Sequence, residues 1–232
     1  MRHSSPTLLH FAFCAIAAAL DPPTGIFSDA TACKKTKACD SLASARGIMI
    51  TEDGRASVLG AAPDGTVWTA HGAYGGPDDE LAVDFFGVDG TGMRAATWDG
   101  EVLTWENGAV WRRRHTGFAA QRVEGDQPFD GVYASEAWAG GVAGLRLVSR
   151  RMGRVKGISV TVLGTDDGRN FFEFVGAFRG WPKSSESFFM DFRPVGGVDR
   201  WDGIHTFDGS GSLIWPDGAR WYKLGKAAEG EL

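Results

Sequence analysis

Short β-rich runs recur along the chain, at residues 66–71, 81–86, 158–163, 171–175 and 188–192. Each mixes Val, Ile, Phe, Thr or Trp with polar positions, and none is long enough for an average helix. Turn signals separate them: nine Asp-Gly dipeptides and Asn107-Gly108. Gly after Asp or Asn adopts positive φ at little cost, so these dipeptides mark hairpins. No stretch of similar length keeps a helical 3.6 period free of Gly. The pattern predicts an all-β protein, an antiparallel barrel or sandwich built from two duplicated units of roughly sixty residues, each with four or five strands.

The duplication is read from ordered matches. Ser57-Val58-Leu59-Gly60 corresponds to Thr161-Val162-Leu163-Gly164, and twelve residues later Gly72-Ala73-Tyr74 corresponds to Gly176-Ala177-Phe178. Val83-Asp84-Phe85 then matches Met190-Asp191-Phe192, and Trp98-Asp99-Gly100 matches Phe207-Asp208-Gly209. Each unit closes on two Trp six residues apart, Trp105 with Trp111 and Trp215 with Trp221. The expected organisation is residues 1–20 as a signal peptide, 21–46 as a leader outside the β core, and 47–114 as the first unit. Residues 115–160 are read as connecting strands without a counterpart in the first unit, 161–225 as the second unit and 226–232 as a flexible tail.

The closing segment specifies its own register. In Trp215-Pro216-Asp217-Gly218-Ala219, Pro and Asp suit the two corners of a type I turn, and Gly218 takes the left-handed position of a bulge. Trp105-Glu106-Asn107-Gly108-Ala109 fits the same path. This three-residue loop sets Leu213 against Trp221 and Leu103 against Trp111, with both Trp of a pair on one face. A two-residue loop would split them, because a one-residue slip reverses the faces. The four Trp are therefore expected as core.

Composition adds the compartment. A weakly basic start, an apolar run over residues 8–20 and the small exit Ala17-Ala18-Ala19 have the form of a secretory signal peptide. The expected location is the secretory pathway or outside the cell, with an organelle lumen as the alternative. Cys14 would leave with the signal. Cys33 and Cys39 would remain as a disulfide or as two free thiols. A net charge of −5 argues against a nucleic-acid partner, and no run is long enough to span a membrane as a helix. Oligomeric state is not legible.

The residues 213–221, preceded by Asp191-Phe192-Arg193-Pro194-Val195-Gly196-Gly197, resemble β-repeat modules of marine algal proteins that end in Trp-x-Asp/Asn-Gly-x-x-Trp. That resemblance implies no activity. Gly72-Ala73-Tyr74, Gly131-Val132-Tyr133 and Gly176-Ala177-Phe178 are similar to the Gly-x-aromatic strand openings of calycin-type small barrels.

Candidate chemistry is sparse. Asp84 and Asp191 are matched acids inside apolar runs, which admits either a carboxylate pair for glycan hydrolysis or two outward-facing, ion-paired residues. His71, His115 and His205 have no metal-ligand spacing, and no metal site or cofactor is indicated. No nucleophile elbow, P-loop or dinucleotide fingerprint is present. Arg146, Arg150, Arg151, Arg154 and Lys156 form a basic run, read as a solvated strand face or as a contact for an anionic group. Trp138, Trp181 and Trp201 have no aromatic partner in the other unit and lie near Gly or Pro, so they are the candidates for stacking on a ligand. The resulting expectation is a secreted, non-enzymatic binding module for a glycan. The alternatives are a calycin-like barrel around a small apolar ligand, its interior lined by the four hairpin Trp, and a hydrolase using Asp84 and Asp191.

Overall fold

A computed structural model describes residues 20–31, 41–76, 79–123, 129–152, 158–178, 187–197, 201–205 and 212–226. The signal segment, Cys33, Cys39 and Trp181 lie outside these residues, as do Arg154 and Lys156.

The fold is all-β. Eight strands run in order: β1 Gly25–Asp29, β2 Ala45–Ile50, β3 Arg55–Ala61, β4 Val67–Gly75, β5 Glu80–Asp84, β6 Met93–Trp98, β7 Val102–Trp105 and β8 Val110–Arg113. Each pairs antiparallel with the next, and β8 returns to β1 with Phe27 opposite Arg113, so the sheet closes as a barrel. Closure leaves no free strand edge in the ring. A short β9, Ala120–Arg122, leads on.

The second sheet contains β10 Gly131–Ser135, β11 Leu145–Met152, β12 Ile158–Thr165, β13 Phe171–Phe178, β14 Ser187–Met190, β15 Trp201–His205, β16 Leu213–Ile214 and β17 Arg220–Lys226. Its strands also pair in sequence, and β17 pairs back onto β10 with Tyr133 opposite Lys223. β9 adds to β17. Registers recur between the sheets: Arg46 faces Gly60 and Arg146 faces Gly164, while Leu103 faces Trp111 and Leu213 faces Trp221.

Two expectations are corrected. Residues 25–29 and 45–46 are not a leader outside the core but part of the first ring. The reason is burial on both faces: Phe27 points into the barrel, Ile26 points to the second sheet, and both are fully buried. A strand buried on both faces shows no polar alternation. Residues 131–152 likewise are not an insertion between units, because β10 and β11 pair as β1 and β2 do. Each ring therefore spans far more than sixty residues.

The interiors are packed. Phe27, Ile48, Val58, Leu81, Val83 and Leu103 fill the first ring; Tyr133, Val148, Val160, Val162, Phe174 and Phe188 fill the second. Eight strands enclose a space that side chains can fill. A third cluster joins the rings, with Ile26, Leu59, Ala61 and Val67 of one against Leu145, Leu147 and Leu163 of the other. Ser57 donates to Glu173 at 2.9 Å and Ser149 to the Val67 carbonyl at 2.8 Å across the same seam. No helix among the described residues is long and apolar enough to cross a membrane.

Candidate functional site

Each ring has one end where hairpin β7–β8, or β16–β17, meets the start of the even-numbered or odd-numbered partner strands in an aromatic cluster. In the first ring the hairpin closes as its sequence requires. Trp105 N–H donates to Ala109 O at 2.9 Å and Gly108 N–H to Trp105 O at 2.8 Å, with Gly108 at φ 79°. Asn107 Oδ1 accepts the Ala109 amide at 3.0 Å. Trp105 and Trp111 then sit edge to face at 4.7 Å. Phe85, at the end of β5, packs on Trp105 at 5.2 Å and on Trp68 at 5.9 Å. A four-residue helix α1, Phe86–Asp89, follows Phe85 and forms the lip.

A buried arginine stands in this ring of aromatics. Arg46 Nη1 donates to the carbonyls of Ala43, Ala45 and Ala61 at 3.0, 2.8 and 3.0 Å, and Nη2 pairs with Asp29 at 2.8 Å. Its guanidinium lies 5.4 Å from the Trp68 ring and 5.7 Å from the Trp111 ring. A planar, weakly hydrated cation suits this place, where an ammonium could not reach all four acceptors. Gly60 makes room: a Cβ there would meet the Trp68 ring at 2.0 Å. At the rim, Arg94 pairs with Asp89 at 2.9 Å and lies 5.2 Å over Phe85. Together these residues line an open cleft of about 280 Å³.

The second ring builds a related mouth. Trp215 N–H donates to Ala219 O at 2.9 Å, Gly218 has φ 86°, and Trp215 meets Trp221 at 4.8 Å. Phe192 packs on Trp215 at 4.9 Å. Arg146 Nη1 donates to Leu145 O at 2.9 Å and Thr165 O at 2.6 Å, and Nη2 pairs with Asp166. It lies 4.8 Å from Phe172 and 5.2 Å from Trp221. Burial pushes the Arg146 guanidinium below its ordinary value, and Asp166 opposes the shift. The cleft here is about 180 Å³.

The opposite ends are plugged. Arg113 lies 4.7 Å over Trp98 in the first ring; Lys223 lies 4.9 Å over Tyr133 in the second and donates to the Asp130 carbonyl.

Of the sequence candidates, Trp201 is half-buried at the second mouth, 5.3 Å from Phe192. Trp138 is half-buried against the cluster between the rings, its indole N–H donating to Gly141 O at 2.8 Å, away from both mouths. Asp84 is exposed and Asp191 half-buried; each accepts the amide two residues on, at 2.9 and 3.0 Å, and they belong to different rings. Asp191 is held below the usual carboxylate range by hydrogen bonds from Arg193. His71 is exposed, and His115 sits 3.2 Å from Glu101. His205 ends β15, with its side chain outside the description. The basic run divides: Arg146 is buried rather than solvated, Arg150 pairs with Asp130 at 3.1 Å, and the side chain of Arg151 is not described.

Sequence reasoning missed Arg46, Trp68 and Phe85 as a group. The available signal was an Arg inside an otherwise apolar strand, present twice, in Ala45-Arg46-Gly47-Ile48 and Leu145-Arg146-Leu147-Val148. Comparison with protein families, curated proteins and solved structures finds no match.

Proposed function

We propose that the protein is a secreted, non-enzymatic binding module that takes a neutral carbohydrate at the mouth of the first barrel. The observation that supports this reading is the pairing of an aromatic wall with two compensated ion pairs, Arg46–Asp29 and Arg94–Asp89, in one open cleft. Sugar hydroxyls both donate and accept, so a rim of alternating guanidinium and carboxylate groups suits them, while the C–H face of the ring stacks on the half-buried Trp68. A net-neutral rim gives an anion no advantage. The volume is just below the usual range of ligand pockets, which favours a single sugar ring or a chain end.

A hydrolase using Asp84 and Asp191 has no such support, since both acids cap turns on separate rings. A calycin-like barrel enclosing an apolar ligand would have to displace Phe27, Val58 and Leu103, all fully buried.

The test is a glycan array probed with the full chain and with Arg94→Ala and Trp68→Ala. Neutral pyranosides are expected to bind, and each variant to lose about tenfold or more in affinity while keeping its circular dichroism. Binding confined to acidic glycans, no binding at all, or variants that bind like the parent would overturn the proposal.

A further inference from the structure

The two mouths differ in one decisive place. Arg94, the second residue of β6, lies opposite Val83, and Trp201 opens β15 opposite Met190. Both pack on the Phe that closes their mouth, at 5.2 Å from Phe85 and 5.3 Å from Phe192. Where α1 ends in Asp89, the ion partner of Arg94, the corresponding 3₁₀ turn Arg193–Val195 ends in Val195, which is 49% exposed. The second mouth has thus exchanged an ion pair for an indole, while its lip carries Val195 as the first lip carries Val88. Among the described residues, Arg146–Asp166 is the ion pair that remains on its lining.

We infer that the second mouth is a separate site for an apolar aromatic ring, walled by Phe172, Phe192, Trp201 and Trp215. Aromatic groups dock edge to face or offset on such walls, and a polar ligand would find few partners there. The volume of about 180 Å³ suits one ring; an apolar cavity of about 150 Å³ holds benzene. The guanidinium of Arg146 adds a cationic neighbour for the ring face.

The mouths also face away from each other. The β3–β4 turn at the first mouth touches the plugged end of the second ring, where a Cβ on Gly131 would lie 3.2 Å from Gly65 O. Conversely, a Cβ on Gly25, at the plugged end of the first ring, would lie 3.8 Å from Phe171 beside the second mouth. Ligands at the two mouths therefore do not compete. The aromatic site does not depend on the carbohydrate reading of the first mouth.

Phenol is the probe, titrated into the ¹⁵N-labelled full chain while the indole N–H resonances are followed. Shifts are expected at Trp201, Trp215 and Trp221, and not at Trp68, Trp105 and Trp111. Trp201→Arg should weaken phenol binding about tenfold or more. If that variant does not fold, Val195→Asp places a carboxylate on the exposed lip without touching the core, and the same loss is expected. Equal shifts at both mouths, or a folded variant with the parent's phenol affinity, would overturn the inference. Failure of every glycan to bind would sink the carbohydrate reading and leave this one standing.

Discussion

At the residue scale, buried cations organise the molecule, and the two arginines are handled differently from the lysine. Arg46 and Arg146 each direct their Nη groups to strand-end carbonyls and one carboxylate, so their charge is compensated where it sits. Lys223 has less. It is 3% exposed, donates to the Asp130 carbonyl, and has Tyr133 beneath it. Burial pushes its pKa down from 10.5 to about 8; Asp130 partly offsets this and Arg150 adds to it. Between those two values the unfolded chain holds a proton that the folded chain has lost. Stability therefore rises with pH across that window. Urea denaturation should show about 2 kcal/mol more stability from this group at pH 9.5 than at pH 7.5. Lys223→Met should remove that rise. A variant with the parent's full pH slope would mean that the ammonium is not desolvated in the fold.

At the scale of elements, local chemistry was legible and closure was not. The hairpins could be written from Pro216-Asp217-Gly218 and Glu106-Asn107-Gly108 because turn conformation depends on adjacent residues. The same reading placed both Trp of each pair on one face, and all four are 7% exposed or less. β1 was invisible because Ile26 and Phe27 serve two different cores, which erases alternation. The clefts were invisible for a related reason: Arg46, Phe85 and Trp105 come from three segments separated in sequence. Trp201 stands out in the sequence as an unmatched Trp, but its contact with Phe192 arises only from strand pairing. The hairpins carry their own prediction. A Cβ at Gly218 meets nothing within 4 Å, so Gly218→Val acts through backbone strain alone. It should cost about 1–2 kcal/mol. Gly141→Val is the control, since that site is also open but its φ is not left-handed; it should cost less. Trp221→Ala should cost about 3–5 kcal/mol. A Trp221→Ala protein that melts like the parent would show that the indole serves a ligand and not the core.

At the scale of the whole molecule, the shared seam decides whether there are two proteins here or one. Each ring closes on itself, which alone would allow two independent units. The cluster between them argues otherwise. Leu59, Leu145, Leu147 and Leu163 are all fully buried there, and each contributes about 1.5–3 kcal/mol relative to exposure. Gly47 packs so closely that a Cβ would come 2.9 Å from Leu163. Separating the rings would expose this apolar surface and also leave the Ser149 hydroxyl and the Val67 carbonyl without each other. The coupling across the seam is therefore comparable to the stability expected of one ring. Calorimetry of the full chain should give one transition whose calorimetric and van't Hoff enthalpies agree. Leu147→Ala should lower that single transition as a whole by about 2–5 kcal/mol in stability, without splitting it. Two resolved transitions in the parent would refute the coupling. They would also remove the rigid frame that keeps the two mouths pointing apart.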